Sequence, residues 1–154
     1  MSVIIQGTQL REISLGRYVQ GKQSTVAGAG THQVFTVAGG EVLITALWGK
    51  VSTAITGATG TYALQVNPTT GDTDTVVTAT PLGATDVTAG TILGVRDQGD
   101  GTTDFAPGQF ALKDVVVTTG EVELVTADAT ADGVIDWYCT WVPLTPGATL
   151  VASA

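Results

Sequence analysis

The segment Val134–Val142 constrains the fold more than any other part of this chain. Its large apolar residues recur at every second position, which places four of them on one side: Ile135, Trp137, Cys139 and Trp141. Successive side chains of a β-strand point to opposite faces, so this alternation predicts a strand with one buried face. We therefore expect these four side chains in the core of a β-sheet protein.

The remaining sequence has the composition of strands and turns. Threonine and valine are abundant, and their β-branched side chains favour strands over helices. The 20 glycines and 5 prolines supply frequent turns between the apolar runs. Strands are predicted at residues 34–37, 42–55 with a bend at Gly49, 61–66, 75–80, 91–96, 110–117, 122–127 and 134–142. This spacing predicts an all-β fold for residues 31–154, a single antiparallel β-sandwich or barrel of jelly-roll type with about eight strands.

Three local patterns refine this prediction. The run Val42–Trp48 is nearly continuously apolar, which is typical of a strand that is covered on both faces, and it assigns Trp48 to the core. Residues 97–108 are polar and rich in glycine, so they are predicted to form a loop. Thr119-Gly120 lies between two apolar runs and predicts a hairpin turn.

Residues 1–30 differ from the rest in charge. They contain three basic residues against one acidic residue, a net charge of +2, whereas the remainder contains 3 basic and 13 acidic residues, a net charge of −10. The spacing of Leu10 and Ile13 is compatible with a short helix within Gln9–Tyr18 that Gly16 interrupts. Ala27–Gly30 is a flexible stretch by composition. We therefore predict an extended N-terminal arm over residues 1–30.

The overall composition excludes several classes of function. A net charge of −8 argues against nucleic-acid binding, which needs clustered lysine and arginine. No apolar run is long enough for a membrane-spanning helix, and the N-terminus lacks the pattern of a signal peptide. Charged residues make up only 13% of the chain, against about 25% in average proteins. Such a weakly charged surface suits burial against other subunits, which predicts a homo-oligomer.

The sequence offers little for catalysis. A single histidine and a single cysteine cannot build a zinc cage or a disulfide framework within one chain. His32 has no partner motif, and Cys139 lies in an apolar strand where a thiol is usually inert. We expect no catalytic residue and no cofactor.

Two weaker binding patterns remain open. Asp97, Asp100 and Asp104 could ligate calcium, but no glutamate closes the loop, and a solvated loop is the favoured interpretation. The aromatic residues Trp48, Trp137, Tyr138 and Trp141 could form a platform for a sugar. Aromatic side chains among aliphatic ones are more often core residues, and Tyr138 is the better candidate for an exposed or interface aromatic.

Several segments, taken in their order along the chain, resemble small β-rich proteins that are encoded in the head gene clusters of tailed bacteriophages. They are Leu43–Val51, Val66–Gly71, Gly133–Trp137, Trp141–Leu144 and Pro146–Ala152. The resemblance implies a virion structural protein of the capsid decoration, or cement, type. Such proteins cluster on the outer surface of the shell of major capsid proteins, commonly as homotrimers, after synthesis in the host cytoplasm. Within the predicted arm, Arg11, Arg17 and Lys22, with Tyr18 as an apolar anchor, are the candidate residues for docking to this shell.

Two other classes of function stay open at this point. One is a tail or baseplate β module, which would form rings or stacked tubes. The other is a surface module that binds carbohydrate for attachment to the host.

Overall fold

β-branched and aromatic residues fill the strands of two antiparallel sheets. The computed structural model describes residues 7–25, 28–56, 60–82, 85–97, 103–107, 114–127 and 132–154. The elements in this part of the chain are α1 (Gly7–Leu15), β1 (Arg17–Thr25), β2 (Gly30–Ala38), β3 (Val42–Thr53), β4 (Thr61–Pro68), β5 (Asp74–Pro81), β6 (Ile92–Asp97), β7 (Thr103–Pro107), β8 (Val115–Val117), β9 (Gly120–Thr126), β10 (Val134–Pro143) and β11 (Thr149–Ala152).

The strands pair into two sheets that pack against each other. Sheet A has the order β1-β10-β3-β6-β7, with β8 beside β3, and sheet B has the order β11-β2-β9-β4-β5. Every strand pair is antiparallel. The predicted all-β sandwich is therefore confirmed.

The core lies between the sheets, and β10 carries its largest residue. Burial alternates along β10, and the four residues that the sequence assigned to the core are all at most 4% exposed. Sheet B contributes Phe35, Tyr62 and Leu124, which are fully buried. The two sheets thus share one apolar layer, as the alternation in the sequence predicts.

Three strands were not predicted from the sequence. β1 lies within the predicted arm, β7 within the predicted loop 97–108, and β11 after the last predicted strand, 134–142. All three occupy sheet edges, where one side of a strand has no ladder partner within the sheet, and their residues show little alternation. Their conformation depends on the neighbouring strand rather than on their own pattern.

The hairpin predicted at Thr119-Gly120 is wrong. β8 pairs with β3 in sheet A, whereas β9 lies in the middle of sheet B. The chain therefore crosses from one sheet to the other here, and the carbonyl of Thr119 accepts a hydrogen bond from the amide of Thr69 at 2.8 Å. Alternation indicates that each of the two strands has one buried face. It does not show that β8 covers the core from sheet A and β9 from sheet B.

The second half of the predicted arm is part of sheet A. β1 pairs with β10 from Arg17 opposite Trp141 to Thr25 opposite Val134. The guanidinium carbon of Arg17 lies 5.3 Å from the centre of the Trp141 ring, which is a cation–π contact. Among the described N-terminal residues, only Gly7–Gly16 precede the sheets.

Replacing Trp137 with alanine should destabilise the protein by about 3–5 kcal/mol, because it empties a fully buried site between the sheets. The matched control is Tyr138→Ala on the opposite face of the same strand, which should cost only about 1 kcal/mol. Denaturant unfolding measures both changes. Equal losses for the two variants would contradict the assignment of the faces.

Replacing Gly21 with alanine should also destabilise the fold, because β1 passes close to sheet B at this point. A Cβ on Gly21 would lie 2.7 Å from Cε1 of Phe35, whose ring is held in the core. We expect a loss of about 1–3 kcal/mol in thermal or denaturant unfolding. Gly7→Ala, where the new Cβ meets nothing within 4 Å, should leave the stability unchanged.

Candidate interaction surface

The outer faces of the two sheets differ in chemistry. On sheet B, Thr36 Oγ1 donates a hydrogen bond to Glu121 Oε2 at 2.9 Å, and Gln65 Nε2 donates one to Glu123 Oε2 at 2.7 Å. Ser153 Oγ donates to the same Glu121 oxygen at 3.0 Å. These polar side chains satisfy one another by hydrogen bonding. The same face also carries Val151 of β11, which lies opposite Thr36 and is 50% exposed.

The outer face of sheet A carries three aromatic side chains on three adjacent strands. Tyr138 of β10 lies opposite Trp48 of β3 in the register, and their ring centres are 5.6 Å apart with nearly parallel planes. Tyr18 of β1 stacks on Tyr138 at 6.2 Å. Tyr18 is 60% exposed. Partial loss of water around its hydroxyl, and the nearby Tyr138, both raise the pKa of Tyr18. We call Tyr18, Trp48 and Tyr138 the aromatic trio.

An aliphatic row continues this surface toward the end of the sheet. Val142 of β10 lies opposite Leu43 of β3, which in turn lies opposite Val116 of β8. Val116 is 54% exposed. Between the row and the trio, the hydroxyls of Thr45 and Thr140 are hydrogen-bonded to each other at 2.9 Å. Apolar side chains at the surface are candidates for contact with a partner.

The core assignment of Trp48 is wrong. Its side chain is half-buried and lies on the outer face of sheet A with Tyr138. A β-bulge shifts the pairing of β3 and β10 between Thr140 and Trp141, and this changes which residues of β3 face inward. The run Val42–Trp48 therefore has one face in the core, whereas the described chain packs no second sheet on its other face.

The helix α1 is a second unpartnered apolar element. None of its nine residues is buried, and Leu10, Ile13 and Leu15 are between 58% and 73% exposed. Gly16 ends the helix, with its amide bonded to the carbonyl of Glu12 at 3.0 Å. Its φ of +80° and the short distance of 2.8 Å from a built Cβ to the carbonyl oxygen of Trp141 both require glycine.

The four predicted docking residues lie on two elements, and their docking role stays a prediction. Arg11 lies in α1, Arg17 rests on the Trp141 ring and Tyr18 belongs to the aromatic trio. Lys22 lies in β1, and its side chain is outside the described part of the structure. The structure thus separates a helix with exposed apolar residues from a strand that is built into the sheet.

Two of the three predicted calcium ligands lie in paired strands. Asp97 ends β6 opposite Thr103 of β7, and Asp104 lies opposite Arg96. Asp100 lies outside the described residues, so calcium binding stays a prediction. Within the described ranges, no three side chains of histidine, cysteine, aspartate or glutamate are grouped as metal ligands.

His32 and Cys139 are both engaged in the structure of the body. His32 Nε2 is 3.4 Å from the hydroxyl of Thr126. Cys139 is fully buried, and its burial raises the pKa of the thiol to about 12. A protonated, buried thiol is a poor nucleophile at neutral pH.

We expect Cys139 to resist alkylation in the folded protein at pH 8 and to react once the chain is unfolded. The unfolded thiol ionises near pH 9, whereas the folded thiol keeps its proton until about pH 12. The stability that this thiol contributes is therefore complete below about pH 9 and is lost as the pH rises to about 12. Mass spectrometry after iodoacetamide treatment with and without denaturant tests the first point, and rapid labelling at pH 8 without denaturant would contradict it.

The aliphatic row of Leu43, Val142 and Val116 was not predicted from the sequence. A signal was present, because a strand run that is apolar on both faces is normally covered on both faces. Among the described residues, a second sheet covers only the inner face of β3.

Searches against protein-family models, curated proteins and solved structures found no match to this chain. Among the residues that the structure describes, no helix is both long and apolar enough to cross a membrane.

Proposed function

We propose that this protein is a virion structural protein of a tailed bacteriophage, a capsid decoration protein that binds the outer surface of the major capsid shell as a small oligomer. One observation carries the proposal. The chain folds into a sandwich with a well-packed core and yet presents apolar residues on α1 and on the outer face of sheet A. Apolar residues exposed beside a well-packed core are candidates for assembly with other proteins.

We assign the contact with the shell to α1. An isolated helix of fewer than about 12–15 residues is marginal in water, and α1 has nine residues, none of them buried. Docking against a partner would supply the packing that this helix lacks. Leu10 and Ile13 lie three residues apart, on neighbouring positions of one side of the helix, and would enter an apolar groove.

The charge distribution fits this orientation. Arg11 and Arg17 lie in or beside α1, whereas the carboxylates of Glu121 and Glu123 lie on the outer face of sheet B. A basic N-terminal segment favours an acidic groove between capsid subunits, and the acidic body keeps neighbouring copies apart. The resemblance of the sequence to proteins of phage head gene clusters is the basis for naming the shell as the partner.

The double variant Leu10→Ser/Ile13→Ser should lower the affinity for capsid particles by at least about tenfold, because two buried aliphatic side chains contribute several kcal/mol. Deletion of residues 1–15 should abolish binding. The deletion stops before Gly16 because β1 belongs to sheet A, so the body should keep its unfolding temperature. Co-sedimentation with empty and full particles measures occupancy.

Thr8→Ala on the same helix is the matched control and should bind like the wild type. Wild-type occupancy by the protein without residues 1–15 would refute the docking role of α1. An image reconstruction that places the protein on the tail would replace capsid decoration by a tail or baseplate module.

A further inference from the structure

We propose that a groove at one end of the sandwich is a docking site for a lysine or arginine side chain that a second, basic protein presents. We call it the threonine groove. It is lined by the turn between β2 and β3 (residues 40–41), by residues within 66–74 around the turn between β4 and β5, and by the connection between β8 and β9 (residues 116–119). The inference goes beyond the proposed function, because it concerns a surface other than α1 and does not require a capsid.

The first argument is the size of the groove. It has two parts, which join at Thr70 and Thr118, since these two residues line both. One part has a volume of about 340 Å³ and the other of about 240 Å³. Sites for small molecules usually measure about 300–1,000 Å³. Both volumes lie at or below the lower end of that range, which favours a single side chain over a cofactor.

The second argument is the apolar floor of the smaller part. Val66 and Val117 line it and belong to the core, with exposed fractions of 7% and 2%. Pro68 and Val116 line it beside them. Lysine and arginine bury their methylene stems along such apolar surface and keep the charged head among polar groups.

The third argument is the charge of the lining. Glu41 lines the larger part, and Asp72 and Asp74 line the smaller part. Within the described part of the chain, these three carboxylates have no hydrogen-bond donor and no cation, whereas Glu121 and Glu123 accept hydrogen bonds from neighbouring side chains. A cation from outside the chain would supply a charge-assisted hydrogen bond to them.

The threonine hydroxyls favour a cation that is carried by a protein. Thr70 and Thr118 lie where the two parts of the groove join, between Glu41 on one side and the two aspartates on the other. A hydroxyl both donates and accepts hydrogen bonds, so these threonines can bond the backbone of the segment that presents the basic residue. A free amine has no backbone to match them.

The walls of the groove are held in place by this chain alone. The amide of Thr69 donates to the carbonyl of Thr119 at 2.8 Å, and the amide of Gly40 donates to Thr119 Oγ1 at 3.3 Å. Gly120 follows with a φ of +155°, and a Cβ there would collide with the carbonyl oxygen of Asn67. A preformed groove orders few groups on binding, which lowers the entropic cost of docking.

A second copy of this chain is a poor source of the cation. The chain has 14 acidic and 6 basic residues, so two copies repel each other. Of the basic residues, Arg17 rests on the Trp141 ring, and Lys50 lies beside Asp136 in the register of β3 and β10. The charge of the chain therefore favours a different protein with a basic surface.

An NMR titration of the ¹⁵N-labelled full chain tests the docking. The titrant is a peptide with blocked ends and the sequence threonine, valine, lysine, valine, threonine. We expect the amide signals of Thr70, Asp72 and Thr118 to shift and saturate, while that of Glu123 on sheet B stays in place. The same peptide with norleucine for lysine keeps the apolar stem without the charge and should bind at least about tenfold more weakly.

The double variant Asp72→Asn/Asp74→Asn should also bind the lysine peptide at least about tenfold more weakly, because it removes both carboxylates of the smaller part. It should bind the norleucine peptide like the wild type. The matched control, Glu12→Gln/Asp136→Asn, removes two carboxylates that lie outside the groove and should leave binding unchanged. The dispersion of each spectrum shows whether the variant is folded.

Five outcomes would overturn the site. They are the absence of shifts in the groove at about 5 mM lysine peptide, equal affinity for the two peptides, and equal affinity of the wild type and the groove variant. Butylammonium that binds the groove as tightly as the peptide would assign it to a free amine. Self-association of the wild type that Asp72→Asn/Asp74→Asn abolishes would assign it to a second copy.

The particle-binding assay separates this site from the proposed function. A chain that binds the lysine peptide in the groove and binds no capsid particle keeps the site and refutes decoration. A chain that occupies particles and does not bind the peptide refutes the site and keeps decoration.

Discussion

The burial of one face of β10 between the two sheets is the interaction on which the rest of this structure depends. β10 pairs with β3 on one side and with β1 on the other, so it joins the N-terminal strand to the body. Its inward residues include Trp137, the largest fully buried side chain in the described part of the chain. Because side chains of a strand alternate, burying Trp137 forces Tyr138 outward, and the outer face of sheet A follows from the packing of the core.

This coupling gives the two outer faces different roles. Sheet B closes its outer face with hydrogen bonds between side chains such as Gln65 and Glu123. Sheet A instead places aromatic and aliphatic side chains in register across its central strands. The exposed apolar residues of α1 add to the apolar surface that the protein presents.

The sequence predicted which side chains of β10 face the core and which face outward. It did not predict which side chains of other strands lie beside them. Alternation in Val134–Val142 predicted the burial of Trp137 and the outward orientation of Tyr138, because the period of a strand is local. It did not predict that Tyr18 and Trp48 would join Tyr138, since their meeting depends on which strands are neighbours. The N-terminal residues 17–25 carry weak local signals, and they become a strand because β10 offers an edge to which they bind.

The sequence by itself determined the β class of this protein, the buried face of β10 and the end of the first helix before Gly16, because each of these follows from alternation, β-branching or the conformational freedom of glycine over a few residues. Only the tertiary structure decided that β8 and β9 belong to different sheets, that a bulge turns Trp48 outward, and that Lys50 and Asp136 lie side by side. Strand order and register are set by contacts between residues that lie far apart in the chain, and no local pattern contains them. The apolar face of sheet A is such a non-local product, because its side chains come from four strands whose order along the chain differs from their order in the sheet.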